Sequence, residues 1–514
     1  MAQHSLPWYK DRTQPPPFSI TKKFQSNRSS PAPFRTLAFF PWSEDSLQTL
    51  WNGSLHTPEK AKEWNDMIAD FSDAVAVGGR RKMYIFFTRQ PRPPICVKLP
   101  EDQSDFKPLP TDCVHVAWTL NPDAHDEPLV IFSYSNLVYI YNVARKGIAS
   151  YLRGHGGAIT SIAVHPITVN LFCTTSRDYS TRIYDLRLKP QQLQSNYNPP
   201  WPPGTEASRA GAAHGLHMTE SEGSGIGRCI IVLMGGRSGG HQAAVLGAAF
   251  HSHLPIIATC GLDRVVKIWF VPPASHEMLT REDKPLFSSS RVHKARVLSI
   301  TWLHHDLLLT HSAPALMKER VDDIDSKETY LEPGQLVVWR WLGMDRFFPP
   351  DKTDVRQSVL RGCASDYQES ASFKIISALS FPSVPTQYIT PMLHVYQSSS
   401  HDPVVLFTYP KSTSITMFNV IHLQPRKPPP FPLDEASLVE NTERMHLIDV
   451  AGKDPRVEDL PPEVSGWELR TTSNPESDDS ERLMDCAMGM NGDMIMGVGA
   501  KGTVWIWTRR QVNK

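Results

Sequence analysis

Apolar and polar side chains alternate along most of this chain in short runs, the period-two pattern of strands with one buried face. The runs come in groups. Phe34–Phe40 is followed by Ala74–Gly79 and Met83–Phe87, and Val114–Trp118 by Leu129–Phe132, Val138–Tyr141 and Ala149–Leu152. A different pattern opens at Thr57-Pro58, where TPEKAKEWNDMIADF has helical spacing, a Thr to cap the first turn and a Pro at the first helical position. That pattern predicts one helix inserted in the first group of strands. A further alternating run, Phe18–Phe24, has no hairpin partner nearby.

Two groups share a stricter layout. Gly154–Asp185 reads GHGGAITSIAVHPITVNLFCTTSRDYSTRIYD, and Gly240–Trp269 reads GHQAAVLGAAFHSHLPIIATCGLDRVVKIW. Each opens on Gly-His, holds an Asp in a tight turn and closes on an aromatic, the layout of a WD repeat. His155 and His241 are 86 residues apart. Removing the Pro-, Gly- and Ser-rich stretch at 189–228 leaves about 46, close to the ~40–45 of one such repeat. The remaining groups start at His293, Lys374 and Leu483, the Lys374–Phe381 run being read as the first strand of blade six. The seventh group has three strands, and the unpaired run Phe18–Phe24 supplies its fourth, which removes the open edge. The expected fold is all-β: a seven-bladed WD-repeat β-propeller over 17–510, closed by an N-terminal strand. Residues 1–16 read as a disordered tail, with insertions near 45–72, 189–228, 311–334 and 423–465.

Composition narrows the function without choosing it. Fifty-three basic and 53 acidic residues give a net charge of +0, so nothing favours broad attraction to nucleic acid or an anionic membrane. Proline, at 44 of 514 residues, stands well above the usual ~5% and gathers between the strand runs. Seven cysteines form no CxxC pair, the pattern of reduced thiols in an intracellular protein. No run reaches the ~18 apolar residues of a membrane helix, and the first residues lack a signal core.

Within the WD repeats, His155, Asp178 and Tyr184 correspond to His241, Asp263 and Trp269. A turn Asp, a bridging His, a strand Ser or Thr and an indole N–H can form a buried hydrogen-bonded chain, which makes these residues structural. His304-His305 reads as a surface turn, because neighbours on a strand point to opposite faces. Asp322, Asp323 and Asp325 lack the Gly and terminal Glu of a calcium loop. No GxSxG, P-loop or Gly-rich dinucleotide turn occurs. The chain is expected to be a non-enzymatic binding platform without metal or cofactor.

Several strings are more specific than the repeat. Ala117-Trp118-Thr119, Gly154–Asp178, GGRSGGHQAAVLGAAF at Gly235–Phe250, ATCGLDRVVKIW at Ala258–Trp269 and VHKARVLSITWLHHDLLL at Val292–Leu309 resemble the EED/Extra sex combs family of WD-repeat Polycomb proteins. The resemblance covers blades two to five, about half the chain, and fits a divergent, fungal-type member. It implies a nuclear, chromatin-bound scaffold in a Polycomb repressive complex 2-like histone H3 methyltransferase. The implied partners are a SET-domain catalytic subunit of Enhancer-of-zeste type, other Polycomb subunits and the histone H3 tail, with no direct sequence-specific nucleic acid contact.

The family encloses trimethyl-lysine in an aromatic cage, because a quaternary ammonium is held by several ring faces. Laid on that pattern, the first ring falls on Phe34, the second on Val114, the blade-six pair on Ser377-Ala378 and a flanking Arg on Met484. A slip in register would bring Cys113 or His115, and Tyr367 or Phe373, to these places. The expectation is a scaffold whose methyl-lysine reading is lost. A second reading rests on Tyr184-Asp185-Leu186-Arg187, which approximates the W-D-x-R box of substrate receptors for cullin–RING ubiquitin ligases.

Overall fold

The structure is a computed structural model that describes residues 7–11, 14–25, 33–51, 57–99, 113–190, 222–235, 239–272, 279–318, 329–349, 368–381, 391–398, 401–423, 462–472 and 482–510. Seven antiparallel sheets are built on four meandering strands each. Blade one comprises Thr36–Phe39, Ala74–Gly78, Lys82–Phe87 and Ile95–Lys98, and blade two Val116–Asn121, Ala124–Tyr134, Leu137–Asn142 and Gly147–Leu152. Blade three is Ile159–Val164, Leu171–Ser176, Thr181–Asp185 and Arg228–Leu233, and blade four Val245–Phe250, Ile256–Gly261, Val266–Phe270 and Phe287–Ser289. Two connecting segments add outer strands. Gly223–Ser224 pairs with the last strand of blade two, and Thr280–Glu282 runs parallel to the last strand of blade three.

Blade five departs from the sequence reading. Its strands are Val297–His304, Leu307–Ser312, Gln335–Trp341 and Phe373–Ser380. The run expected to open blade six is therefore the outer strand of blade five, with Ala378 opposite Val337 and Ser377 opposite Val338. Blade six opens instead on Met392–Ser398 and continues through His401–Thr408, Ser414–Asn419 and Trp467–Arg470. Alternation marks a run as strand but carries nothing about its radial position, and the long stretch between Trp341 and Phe373 disguised the last strand of one blade as the first of the next. The 311–334 insertion carries a hairpin, Ala315–Lys318 against Thr329–Glu332.

Blade seven is closed by the N-terminus. Phe18–Phe24 pairs antiparallel with Val504–Arg509, from Phe18 opposite Arg509 to Phe24 opposite Val504. Trp505 and Trp507 beneath it are fully buried. Each such indole removes about 150–250 Å² from water, a gross gain of roughly 4–6 kcal/mol before entropy is counted. Within the segment expected to be a disordered tail, Trp8–Lys10 form a 3-10 turn against blades six and seven. The Trp8 ring meets Phe18 at 5.1 Å and Trp467 at 5.7 Å, and Asn419 donates to the Tyr9 carbonyl at 2.7 Å.

Blades hold one another through polar contacts as well as packing. Trp118 Nε1 of blade two donates to the Ala38 carbonyl of blade one at 2.9 Å, and Trp302 Nε1 of blade five to Ala249 of blade four at 3.1 Å. Gln397 of blade six reaches the Trp302 carbonyl at 2.6 Å. The inner strands of blades three, four, five and seven share a bulge at their second residue, which leaves Thr160, Leu246, Leu298 and Met484 out of the ladder. In blade one, Ser46–Leu50 and Pro58–Phe71 are helical, and the Thr57 side chain accepts from the Lys60 amide. Trp64, Met67 and Ile68 of the longer helix are buried, and Trp64 Nε1 donates to the Ser43 carbonyl at 3.2 Å.

Removing residues 1–25 exposes the Val504–Arg509 edge and uncovers the indoles behind it. The truncated chain is expected to melt lower by on the order of 10 °C or to aggregate. A melting curve superimposable on that of the full chain would refute the closing role of Phe18–Phe24.

Candidate functional site

The two WD repeats build the same buried chain. In blade four, Trp269 Nε1 donates to Thr259 Oγ1 at 2.9 Å, Thr259 lies 2.9 Å from His241 Nε2, and His241 Nδ1 lies 2.9 Å from Asp263 Oδ2. One proton arrangement satisfies every link: the Thr259 hydroxyl donates to Nε2, and Nδ1–H donates to the carboxylate. Burial lowers the His241 pKa against the pull of Asp263, so the imidazole is neutral as this arrangement requires. Burial resists ionisation of Asp263, but His241 and the Gln242 and Val265 amides bring its pKa down to about 2.

Blade three repeats the geometry, with His155 Nε2 2.7 Å from Thr174 Oγ1 and Nδ1 2.9 Å from Asp178 Oδ2. Tyr184 takes the Trp position, stacks on Phe172 at 4.8 Å and directs its hydroxyl to Thr174. Blade five holds a third, shortened copy that sequence comparison missed. His293 Nε2 is 2.7 Å from Thr310 Oγ1, to which Trp339 Nε1 donates at 3.2 Å, but His293 Nδ1 has no partner. A hairpin replaces the tight turn that supplies the Asp in blades three and four. A His and a Trp at WD spacing around Thr310 were the available signal. All three chains are buried and hold strands together, and apart from His293 Nδ1 each imidazole nitrogen in them is partnered.

The rim of the ring where blades seven, one and two meet is different. Phe34 is 7% exposed and packs edge-on against Tyr84 and Phe86, with centroids at 5.3 and 5.9 Å. Val114 is 0% exposed and belongs to the core of blades one and two. Its carbonyl accepts from the Thr36 hydroxyl, and its amide donates to the Gly79 carbonyl at 3.3 Å. Met484 is the half-buried bulge residue of blade seven. Ala378 stands on the outer strand of blade five, away from the inner strands, so the structure does not bring it to Phe34 and Val114. Phe373 packs against Phe287 and Trp339, each at 6.2 Å, and Tyr367 lies outside the described residues. His305 accepts at its carbonyl from His251 Nε2 at 3.0 Å; His304 ends the strand Val297–His304, His305 begins the turn after it, and both are exposed. Asp322, Asp323 and Asp325 lie outside the described residues.

Polar side chains do converge at this rim. Cys113 and His115, two residues apart at the head of the blade-two inner strand, bring Sγ to 3.5 Å from Nε2. Arg35 and Asp485 act on them from blades one and seven. Burial pushes the Asp485 carboxyl up to about 7, against the Cys486 amide, His115 and the Leu37 amide, which favour the charged form. Asp485 is the one acidic residue in the apolar run Leu483–Met490, a signal the sequence carried.

The WD domain, G-beta repeat family matches residues 147–185 and 227–269, the stretches that hold the chains of blades three and four. Polycomb protein EED of Chaetomium thermophilum is 23% identical over 300 residues, 57% of this chain and 44% of that protein. Polycomb group protein FIE1 of Zea mays is 27% identical over 156 residues, 30% of this chain and 25% of that protein. Over these stretches the chain is similar to EED-type Polycomb proteins. The match spans less than half the length of either relative. Among solved structures, a chain of the Chaetomium thermophilum polycomb repressive complex 2 shares the fold at a TM-score of 0.55 and 16% identity, covering 96% of this chain and 98% of that one. A chain of an active polycomb repressive complex 2 in the basal state gives the same figures: TM-score 0.55, 16% identity and coverages of 96% and 98%.

The Asp485 carboxyl generates a pH test. Its pKa is raised from 3.8 to about 7, so its contribution to stability is intact below pH ~4 and is lost as pH rises towards 7. Asp485→Asn keeps an acceptor for the Cys486 amide and removes the charge. At pH 8 the variant is expected to exceed the parent by roughly 1–3 kcal/mol, and at pH 4.5 by much less. Denaturant midpoints at the two pH values check this; an equal difference at both would show that the buried charge carries no cost.

Proposed function

We propose that this chain is the non-catalytic WD-repeat scaffold of a histone H3 lysine methyltransferase complex of the Polycomb repressive complex 2 type, acting in the nucleus on chromatin. The propeller would hold the SET-domain catalytic subunit, of Enhancer-of-zeste type, alongside other Polycomb subunits. The observation that carries this reading is the EED similarity over 57% of the chain, coupled to a fold match that covers nearly all of both chains. The WD histidines, spent on holding strands together, fit a scaffold better than an enzyme.

The scaffold reading includes a lost reader. A trimethylammonium needs several aromatic faces, and of the positions the family uses, Phe34 alone is aromatic here. Phe34 spends its ring on Tyr84 and Phe86, while Val114 points into the core. The cullin–RING reading loses its main residue for a similar reason. Arg187 folds back on Asp185, with Nη2 at 2.7 Å from Oδ2, and the Tyr184 that replaces the Trp of the box is buried.

Affinity purification of the full chain from its own cells is expected to yield a SET-domain methyltransferase as a stoichiometric partner. Recovery of a cullin adaptor instead, or of no SET-domain protein, would overturn the scaffold reading. Titration of the purified chain with histone H3 peptides should give affinities for trimethylated and unmodified lysine within about twofold of each other. A preference of about tenfold, ~1.4 kcal/mol, for the methylated form would restore the reader.

A further inference from the structure

The cysteines of this chain do not share one environment. Cys173, Cys229, Cys260 and Cys486 are buried, Cys96 is exposed, and Cys113 is half-buried at the rim. Burial holds the thiols of Cys229 and Cys486 above their ordinary range, and does the same for Cys173 and Cys260. Cys113 alone among these carries an imidazole at hydrogen-bond distance, His115 Nε2 at 3.5 Å from Sγ.

The backbone fixes this pair. Cys113 and His115 flank Val114, whose carbonyl and amide are bonded to Thr36 and Gly79 of blade one. The His115 amide and carbonyl are bonded to Ser133 of the next strand, at 3.4 and 3.0 Å. With Val114 turned into the core, its neighbours on either side face the other way, together. Among the described residues no group of three or more His, Cys, Asp or Glu side chains is placed to hold a metal ion, so the pair is not explained as part of a metal site.

We propose that Cys113 is a covalent modification site for soft electrophiles of the α,β-unsaturated carbonyl class, with His115 as the base that takes the thiol proton. In the reaction, the proton moves from Sγ to Nε2 of His115, and the sulfur lone pair forms an S–C bond to the β-carbon. The C=C π pair shifts toward the carbonyl, giving an enolate that takes a proton from the imidazolium at its α-carbon. The product is a thioether, His115 is returned neutral, and no oxidant or reductant is required. Burial works against the Cys113 thiolate, but the charge and hydrogen bond of His115, with Arg35 beyond, outweigh it and set the thiol below its ordinary range despite Asp485. The adduct would stand on the rim next to Phe34, where it would alter any surface that face presents.

N-ethylmaleimide, a Michael acceptor, is the probe, used at limiting concentration on the full chain carrying Cys363→Ser, with each cysteine followed by peptide mass spectrometry. Cys363 is replaced because it lies outside the described residues. At pH 6.5 Cys113 is expected to label on the order of tenfold faster than the exposed Cys96. His115→Gln should slow Cys113 severalfold at pH 6.5 and converge with the parent near pH 9, where thiols ionise without help. Arg35→Gln should shift the same profile in the same direction by less. Protection of Cys173 and Cys260 in each sample reports that the propeller is folded. Cys96 labelling as fast as Cys113, or a Cys113 profile unmoved by His115→Gln in a folded chain, would overturn the proposal.

Discussion

Every blade in this molecule buries its faces against two neighbours, and the arrangement is stable only if the circle has no end. The pairing of Phe18–Phe24 with Val504–Arg509 meets that constraint. Without it, blade seven would have three strands and a free row of N–H and C=O groups over a wall of tryptophan. The inter-blade bonds of Trp118, Trp302 and Gln397, the Thr36 bond to the Val114 carbonyl, and the clasp of Trp8 on Trp467 then reinforce a ring already shut.

Inside that ring the repeats divide their labour. The hydrogen-bonded chains of blades three and four tie the inter-blade loop to the turn between the middle strands, so a His and an Asp that could look catalytic are spent on rigidity. Blade five shows what the Asp contributes. With the turn replaced by a hairpin, His293 keeps Thr310 and Trp339 but leaves one ring nitrogen without a partner, and burial with His311 nearby brings its pKa down to about 3.

The parts of this architecture that could be read from sequence were those with a local signature: alternation for strands, Gly-His and turn Asp for the repeats, Thr57-Pro58 for the helix. Even the closing strand was legible, because an alternating run without a partner has to find one. What escaped was placement that depends on the whole ring. Phe373–Ser380 looked like the start of a blade and is the end of one, which moved Ala378 from the rim to the periphery. Val114, set in a cage position by string matching, turned out to anchor two blades through its backbone. The contact of Cys113 with His115, and its coupling to Asp485 more than 370 residues later, needed three blades to be assembled first.

The closing strand also imposes an order on assembly. Thr21 bonds to the Ile506 carbonyl across 485 residues of sequence, so a ribosome adding ~5–20 residues per second needs roughly 25–100 s between making the two halves of this contact. Throughout that interval Phe18–Phe24 is an unpaired strand with aromatic residues at both ends. Lys22 and Lys23 sit within it, and a pair of adjacent charges is the usual deterrent to a strand joining the wrong edge. In the finished ring one of them is put to use, as Lys22 Nζ donates to the Thr88 carbonyl of blade one at 2.6 Å. Lys22, a charge that keeps the latch from catching on the wrong edge, thus helps to hold it once it has caught.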